Sequence, residues 1–430
     1  MLMSCKLGLY FIIAFFCTSF TTNATELSVD FSTEAEYNNN IRLASTDKED
    51  EVVQTGSLSV EVLEARKSLQ INANFLLEKE HYYNDTFSGE TSMRAGFGLF
   101  NFDLVESFLS WKTSFTRTEL LSDAADTDTP DSREYRNILR SGPTISYNIS
   151  KTTRVDLLVN YINVENSDDD VSDSERLDSS FSFSNSLNRI TDLSFGAKYG
   201  ESIDADEGDE YANANIYIEF VRRFSHGNLQ LSIGRTKLMP EDSASTEGSF
   251  YNVLLNKEQV LLHDISFEYQ QDISETSIGF ESDEEGVTDV NSPLDGHVSS
   301  DVVMRKRLVL GVDRNVGSYN YTVSGFWEEE TLVIQDDDEK SYGLNFRFEN
   351  QIYQDLISGF EYAYRINDFI DRPSIREDKT VNYRVYANYV VSTDLSVSGF
   401  VGFGSRSNSK NDAREYEELS TGLGLKWALY

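Results

Sequence analysis

Apolar and polar residues alternate one by one along nearly the whole chain, and no sustained helical period competes with that rhythm. From Tyr211 to Phe220 one face reads Ala212, Ala214, Ile216, Ile218, Phe220, and the other Tyr211, Asn213, Asn215, Tyr217, Glu219. Val381, Tyr383, Val385, Ala387, Tyr389 and Val391 likewise stand against Asn382, Arg384, Tyr386 and Asn388. Tyr342, Leu344, Phe346 and Phe348 stand against Gly343, Asn345, Arg347 and Glu349. Successive side chains of a strand point to opposite sides, so each segment predicts a strand with one greasy and one polar face.

The connections between these segments fall into two alternating classes. One class is tight: Arg66-Lys67-Ser68, Ser150-Lys151-Thr152, Ser225-His226-Gly227-Asn228, Asn315-Val316-Gly317-Ser318 and Ser392-Thr393-Asp394. The other is longer and acidic: Thr46 to Glu51, Ser122 to Glu134, Glu165 to Glu175, Glu201 to Glu210, Glu281 to Asp301, Asp336 to Glu339 and Asp368 to Asp378. Short turns on one rim and long loops on the other is the layout of outer-membrane barrels, whose short turns lie in the periplasm. The strand count comes to about 20, or about 18 if Phe250 to His263 holds no hairpin, and an even number returns both chain ends to the periplasm. The expected fold is therefore all-β: a transmembrane, antiparallel, up-and-down β-barrel over residues 25–430.

A soluble all-β protein also alternates, because one face packs on a core. Such a protein needs a dry interior, whereas this chain carries 23 Tyr and 27 Phe and places many Asn, Ser and Arg opposite its apolar face. A wet lumen with aromatic residues near the lipid interfaces accounts for that composition better. The chain's end fits the same reading. Leu419, Thr421, Leu423, Leu425, Trp427 and Leu429 alternate with small or polar residues, and the segment resembles the C-terminal strand read by the barrel-assembly machinery. Its register departs from that pattern by one residue of overhang at Tyr430.

Residues 1–24 carry one base, Lys6, then an apolar run from Leu7 to Phe16, then small and polar residues to Ala24. This order predicts a secretory signal peptide cut after Ala24. The run is shorter than the roughly 20 residues of a membrane-spanning helix, and no later stretch approaches that length. Cys5 and Cys17 both lie in this leader, so residues 25–430 hold no disulfide framework and no thiolate metal site. Cys17 follows Phe16 where a lipoprotein signal wants a small residue. With 73 acidic against 37 basic residues the chain repels the phosphate backbone, which argues against nucleic acid as a partner.

Candidate chemistry is sparse. None of His81, His226, His263 and His297 has a serine or carboxylate at a recognisable catalytic spacing, so no enzymatic role is expected. The run Asp204-Ala205-Asp206-Glu207-Gly208-Asp209-Glu210 lacks the spacing and flanking helices of an EF-hand. No cofactor is expected, and cation binding would be loose and collective; Asp168-Asp169-Asp170 and Asp336-Asp337-Asp338 read as solvated loop tips. The more informative residues are ionisable ones on polar strand faces: Glu219, Arg305, Arg307, Arg347, Glu349, Glu361, Arg365 and Arg384 line the expected lumen, with Arg154 and Asp156. A charge on the lipid face near midplane costs about 2–4 kcal/mol, which fixes their side. Fixed charges facing a channel select or orient a solute, and the same charges paired with one another would instead fill the lumen. Arg347, Arg365 and Arg384 are expected to make a basic patch. Lys306 alternates with Met304 and Leu308 on the lipid face, so it must lie near an interface or mark a misread register.

Glu34-Ala35-Glu36-Tyr37-Asn38-Asn39-Asn40-Ile41-Arg42-Leu43 resembles the opening motif of β-barrel porins associated with exopolysaccharide and PEP-CTERM/exosortase loci. Asp301-Val302-Val303-Met304-Arg305-Lys306-Arg307-Leu308, through Asn320-Tyr321-Thr322-Val323-Ser324-Gly325-Phe326-Trp327-Glu328, resembles that family's late hairpin. The resemblance implies a bacterial outer-membrane porin and carries no catalytic residues. Three functions follow as expectations: a porin-like or polysaccharide-export channel; a non-conducting barrel whose loops contact cations, lipopolysaccharide or matrix; and a barrel hydrolase. Expected partners are outer-membrane lipid, lipopolysaccharide, the barrel-assembly machinery and polysaccharide.

Overall fold

The computed structural model describes residues 25–89, 91–122, 126–167, 173–204, 211–240, 245–260, 263–275, 302–332, 337–370 and 377–429. The predicted leader, His297 and the acidic runs at 168–170 and 205–210 lie outside these residues.

Twenty strands form one sheet. They are β1 (Thr25–Asn38), β2 (Glu51–Arg66), β3 (Leu69–Tyr82), β4 (Thr91–Val105), β5 (Leu109–Leu121), β6 (Arg133–Asn148), β7 (Thr153–Asn166), β8 (Ser174–Asn188), β9 (Thr191–Asp204) and β10 (Tyr211–Phe224). There follow β11 (Gly227–Pro240), β12 (Thr246–Val260), β13 (His263–Glu275), β14 (Val302–Val316), β15 (Tyr319–Leu332), β16 (Asp337–Tyr353), β17 (Leu356–Phe369), β18 (Glu377–Val390), β19 (Leu395–Asn408) and β20 (Tyr416–Ala428). Each strand pairs antiparallel with its neighbours in sequence, and β1 pairs with β20 from Asp30 against Ala428 to Asn38 against Ser420. That seam closes the sheet into an up-and-down barrel, so no edge is left with unpaired backbone groups. The count settles at the higher of the two expected values: β12 and β13 are separate strands that face each other from Tyr251 and Gln271 down to Val260 and His263.

Two-residue turns such as Lys67-Ser68, Arg189-Ile190, Gly317-Ser318 and Gln354-Asp355 share one rim with both chain ends. The strand ends on the opposite rim are the ones joined by the longer stretches of sequence, among them 83–90, 241–245 and 409–415, which lack the acidic runs that marked the others. The third acidic run is shorter than expected, because Asp337 and Asp338 already belong to β16, opposite Leu332 and Thr331.

Apolar side chains stand on the outward face: Ile218, Ile233, Val385, Val401 and Leu423 are each more than half exposed to the surroundings. Residues in the opposite phase are covered, among them Asn213, Ser232 and Thr236. All three tryptophans face outward by register. Trp111 and Trp427 stand near the turn rim, and Trp327 stands near the loop rim beside Leu308 and Tyr342. This is the reverse of a soluble protein, and two aromatic girdles flanking an apolar band match a barrel surrounded by lipid.

Directly above that Leu308–Trp327–Tyr342 row runs a row of outward charges. Glu329 accepts from Lys306 at 2.8 Å and from Lys340 at 3.1 Å. Lys306 is thus no misread register: it lies near the loop end of β14 and is paired, where the aromatic girdle gives way to charge.

Candidate functional site: the polar interior

The interior face is built largely by the polar phase of the strands, with an apolar group at Ile138, Ile162 and Val164, and many of its charges pair with one another within and across strands. On the turn-side half of β15–β18, Glu349 accepts from Arg347 at 2.8 Å, from Tyr386 Oη at 2.6 Å and from Asn320 Nδ2 at 3.0 Å. Arg347 also lies 3.6 Å from Glu361. Glu361 faces Arg384 in register, and the Arg384 guanidinium sits 3.8 Å over the Phe400 ring, a cation–π contact. Arg365 donates to Asn367 Oδ1 at 2.8 Å and stands 5.7 Å from the Phe326 ring centroid.

The three arginines of the expected basic patch therefore share one face of three consecutive strands, yet they are interleaved with Glu349 and Glu361. Alternation located each residue, but it did not reveal that the cross-strand neighbours are of opposite charge.

Nearer the loop rim, Arg305 bridges Glu328 and, at 3.3 Å, Glu330, while Arg307 faces Glu328 in register. Glu219 accepts from Gln230 at 2.8 Å and Ser232 at 3.3 Å. Arg154 and Asp156 form a pair at 2.8 Å near the turn rim. All eight predicted residues thus lie on the polar face, in three separate groups.

Sequence reading missed two clusters at the loop rim. In one, Arg94 reaches Glu78 at 2.9 Å and Glu119 at 3.1 Å, and Arg133 binds Asp128 at 2.7 Å. In the other, the buried Asp378 carboxylate accepts from Arg406 and Asn408, with Arg414 at 3.6 Å. Arg406 could have been found by carrying the alternation of Val401 and Phe403 three residues further.

Arg406 also donates to the main-chain carbonyl of Asp126 at 3.1 Å, although Asp126 belongs to the loop between β5 and β6. Along the wall, β20, β1, β2, β3 and β4 separate those partners, so the loop folds inward across the mouth. A second pair of loops packs together at the rim beside β1. Glu51 accepts from the backbone of Val52 and Asn84, Arg42 pairs with Glu49 at 2.9 Å, and Tyr82, Phe87 and Val53 pack together.

The three described histidines stay apart from these clusters. His263 Nδ1 bonds Tyr321 at 3.1 Å, the His81 ring lies 4.9 Å from Tyr83, and His226 sits in the β10–β11 turn. Among the described residues, no three His, Cys, Asp or Glu side chains are arranged to hold a metal ion.

The sequence matches no protein-family model and no curated protein. Solved structures with a similar chain course include the apoprotein form of the FrpB iron transporter from Neisseria meningitidis, at 9% identity and TM-score 0.48, covering 94% of this chain and 81% of that one. The siderophore receptor PirA from Pseudomonas aeruginosa is similar at 12% identity and TM-score 0.44, covering 95% and 82%. A loop L8 deletion mutant of OmpT, an outer membrane protein of Vibrio cholerae, is similar at 9% identity and TM-score 0.38, covering 94% and 100%.

Proposed function

We propose that this protein is a non-enzymatic, porin-like channel of the bacterial outer membrane that passes hydrophilic solutes. One observation carries the reading: a closed barrel with an apolar outer face and an inner face of ion pairs and hydroxyls, as at Arg347–Glu349 and Glu219–Ser232. Membrane barrels need that division of faces because lipid offers no partner to a polar group and a water-filled lumen does. The resemblance to exopolysaccharide-associated porins extends the proposal to a role beside polysaccharide export. Outer-leaflet lipid phosphates are suited to Lys306 and Lys340, which sit just above Trp327 and Tyr342. The barrel-assembly machinery is the expected inserting partner.

A second reading, the non-conducting structural barrel, draws support from the extent of interior pairing and from the loops packed at the mouth. Reconstitution separates the two. Purified protein that runs faster unheated than boiled, and so is folded, is expected to give discrete conductance steps in planar bilayers. Folded protein without conductance would overturn the channel and leave the structural barrel.

A further inference from the structure

We infer that the outward wall at the turn end of β10–β15 holds a binding site for the phosphate of an anionic glycerophospholipid, formed by Arg222, Lys257 and Arg314. The site lies on the lipid-facing surface, outside the lumen, so it is independent of conduction.

Phase puts these bases on the apolar face. Arg222 and Phe224 continue the outward series Ile216, Ile218, Phe220 of β10, and Phe224 pairs with Gly227, which pairs in turn with Lys257 of β12. Arg314 continues Leu308, Leu310 and Val312 of β14 and lies opposite Tyr321 of β15. Asp264 pairs with Asp313, which sets His263 of β13 beside Arg314 in the same outward phase. All three bases stand near the turn ends of their strands.

Their charge is left in place. The Phe224 ring takes the Arg222 guanidinium at 5.8 Å and the Lys257 ammonium at 5.7 Å, the latter reaching across Gly227, which has no side chain to block it. A ring face orients a cation without neutralising it. His263 Nδ1 and Tyr321 Oη lie 3.1 Å apart, spanning the strand that carries Arg314, and Arg314 Nε is enclosed with no acceptor among the described residues. Glu258, in the bulge after Lys257, pairs with none of the three. Outward positions in the turn-side halves of β10–β15 hold no Asp or Glu. The loop rim of the same wall is different, because Glu329 offsets Lys306 and Lys340 there.

Three unneutralised bases at the edge of an apolar band, on a chain of formal charge −36, require an anion from the surrounding lipid. One strand separates Lys257 from Arg314, or about 10 Å of wall, which two long side chains can close onto a single phosphate. Toward the middle of the barrel Leu229, Leu255, Phe267 and Leu310 offer a surface to the acyl chains. With the short turns facing the periplasm, the leaflet at this rim supplies glycerophospholipid and not lipopolysaccharide.

Native mass spectrometry of the folded barrel tests the site, with phosphatidylglycerol and phosphatidylcholine of matched acyl chains added in equal amounts. The first lipid adduct is expected to favour phosphatidylglycerol about threefold in about 0.1 M ammonium acetate, and to lose that preference in about 1 M, where screening shortens to about 3 Å. Arg222→Gln, Lys257→Gln and Arg314→Gln combined should abolish the preference, while Arg222→Lys with Arg314→Lys should keep it. Lys48→Gln, Lys151→Gln and Lys410→Gln remove the same charge from exposed connections and should also keep it. Should the triple variant fail to show the faster unheated migration of a folded barrel, the salt dependence of the wild type and the lysine variant decide. Equal binding of the two lipids by the wild type, or a preference that survives in the folded triple variant, overturns the site. Lipid A added in equal amount separates the sources: displacement of phosphatidylglycerol by it assigns the bases to lipopolysaccharide and overturns the phospholipid. An inverted barrel would leave these ratios unchanged and would appear only in surface labelling of the loops and turns.

Discussion

Single residues in this barrel are constrained by which side of the wall they occupy. Ile218 lies mid-strand and points outward, so Ile218→Arg is expected to destabilise the folded barrel by about 2–4 kcal/mol in lipid. Ser182 is in the opposite phase of β8, and Ser182→Arg is expected to cost far less; denaturant unfolding in lipid vesicles compares them directly. Gly142 is constrained by proximity. Where β6 approaches β7, a Cβ at this position would come within 1.8 Å of the Val159 carbonyl oxygen, so the strands must part to admit one. Gly142→Ala should therefore cost about 1–3 kcal/mol in the same assay, while Gly56→Ala, which meets no atom within 4 Å, should be nearly neutral. Equal effects at the two glycines would refute the steric argument. The alternation makes Ile218 legible in sequence. Gly142 was not, because its neighbour lies seventeen residues away and only pairing brings it close.

At the level of elements, strands run from 13 residues in β5 to 17 in β16, about 43–56 Å of chain at 3.3 Å per residue. Tilted by roughly 40°, they overshoot an apolar band about 25 Å tall, so their ends emerge among headgroups and water. This explains why Lys306, Glu329 and Lys340 stand on the outward face without contradicting its apolar rule. It also explains why strand ends were the least legible part of the pattern: alternation of apolar with polar fades where both sides are wet, as at Asp337 and Asp338. The two classes of connection predict an orientation. An epitope inserted at Asp169, in the loop after β7, should be labelled on intact cells, whereas one at Thr393, in the turn after β18, should need permeabilised cells. Labelling of Thr393 alone on intact cells would invert the barrel.

For the whole molecule the decisive feature is the β1–β20 seam, where the two ends of the chain meet. Thr33 and Leu425 are Cα partners there, and register partners stand about 4.5–5.5 Å apart, within the range a disulfide spans. Thr33→Cys with Leu425→Cys should oxidise to a ring-closed chain that migrates differently from the reduced form when boiled without reductant. Unchanged migration under oxidising conditions would mean the seam is open. The closed wall gives the interior its character as well. Carboxylates and guanidinium groups from different strands neutralise each other locally, as Glu361 does between Arg347 and Arg384, although the chain as a whole carries a formal charge of −36.

What the sequence determined alone is whatever depends on period and parity. Side chains alternate every residue along a strand, so the faces of β10, β16 and β18, and the side on which Glu219, Arg305, Arg347 and Arg384 stand, follow from local order. Regular alternation of short and long connections returns both ends to one rim and makes the strand number even. What only the tertiary structure decided is which residues meet across strands and across the mouth. Register links positions tens or hundreds of residues apart, and nothing in the local pattern encodes that Glu361 falls between two arginines. Still less does it encode that Arg406 receives a carbonyl 280 residues away. That contact exists because closing the sheet through the β1–β20 seam brings β5 and β19 within six strands of each other around one mouth, a consequence of geometry on the scale of the whole barrel.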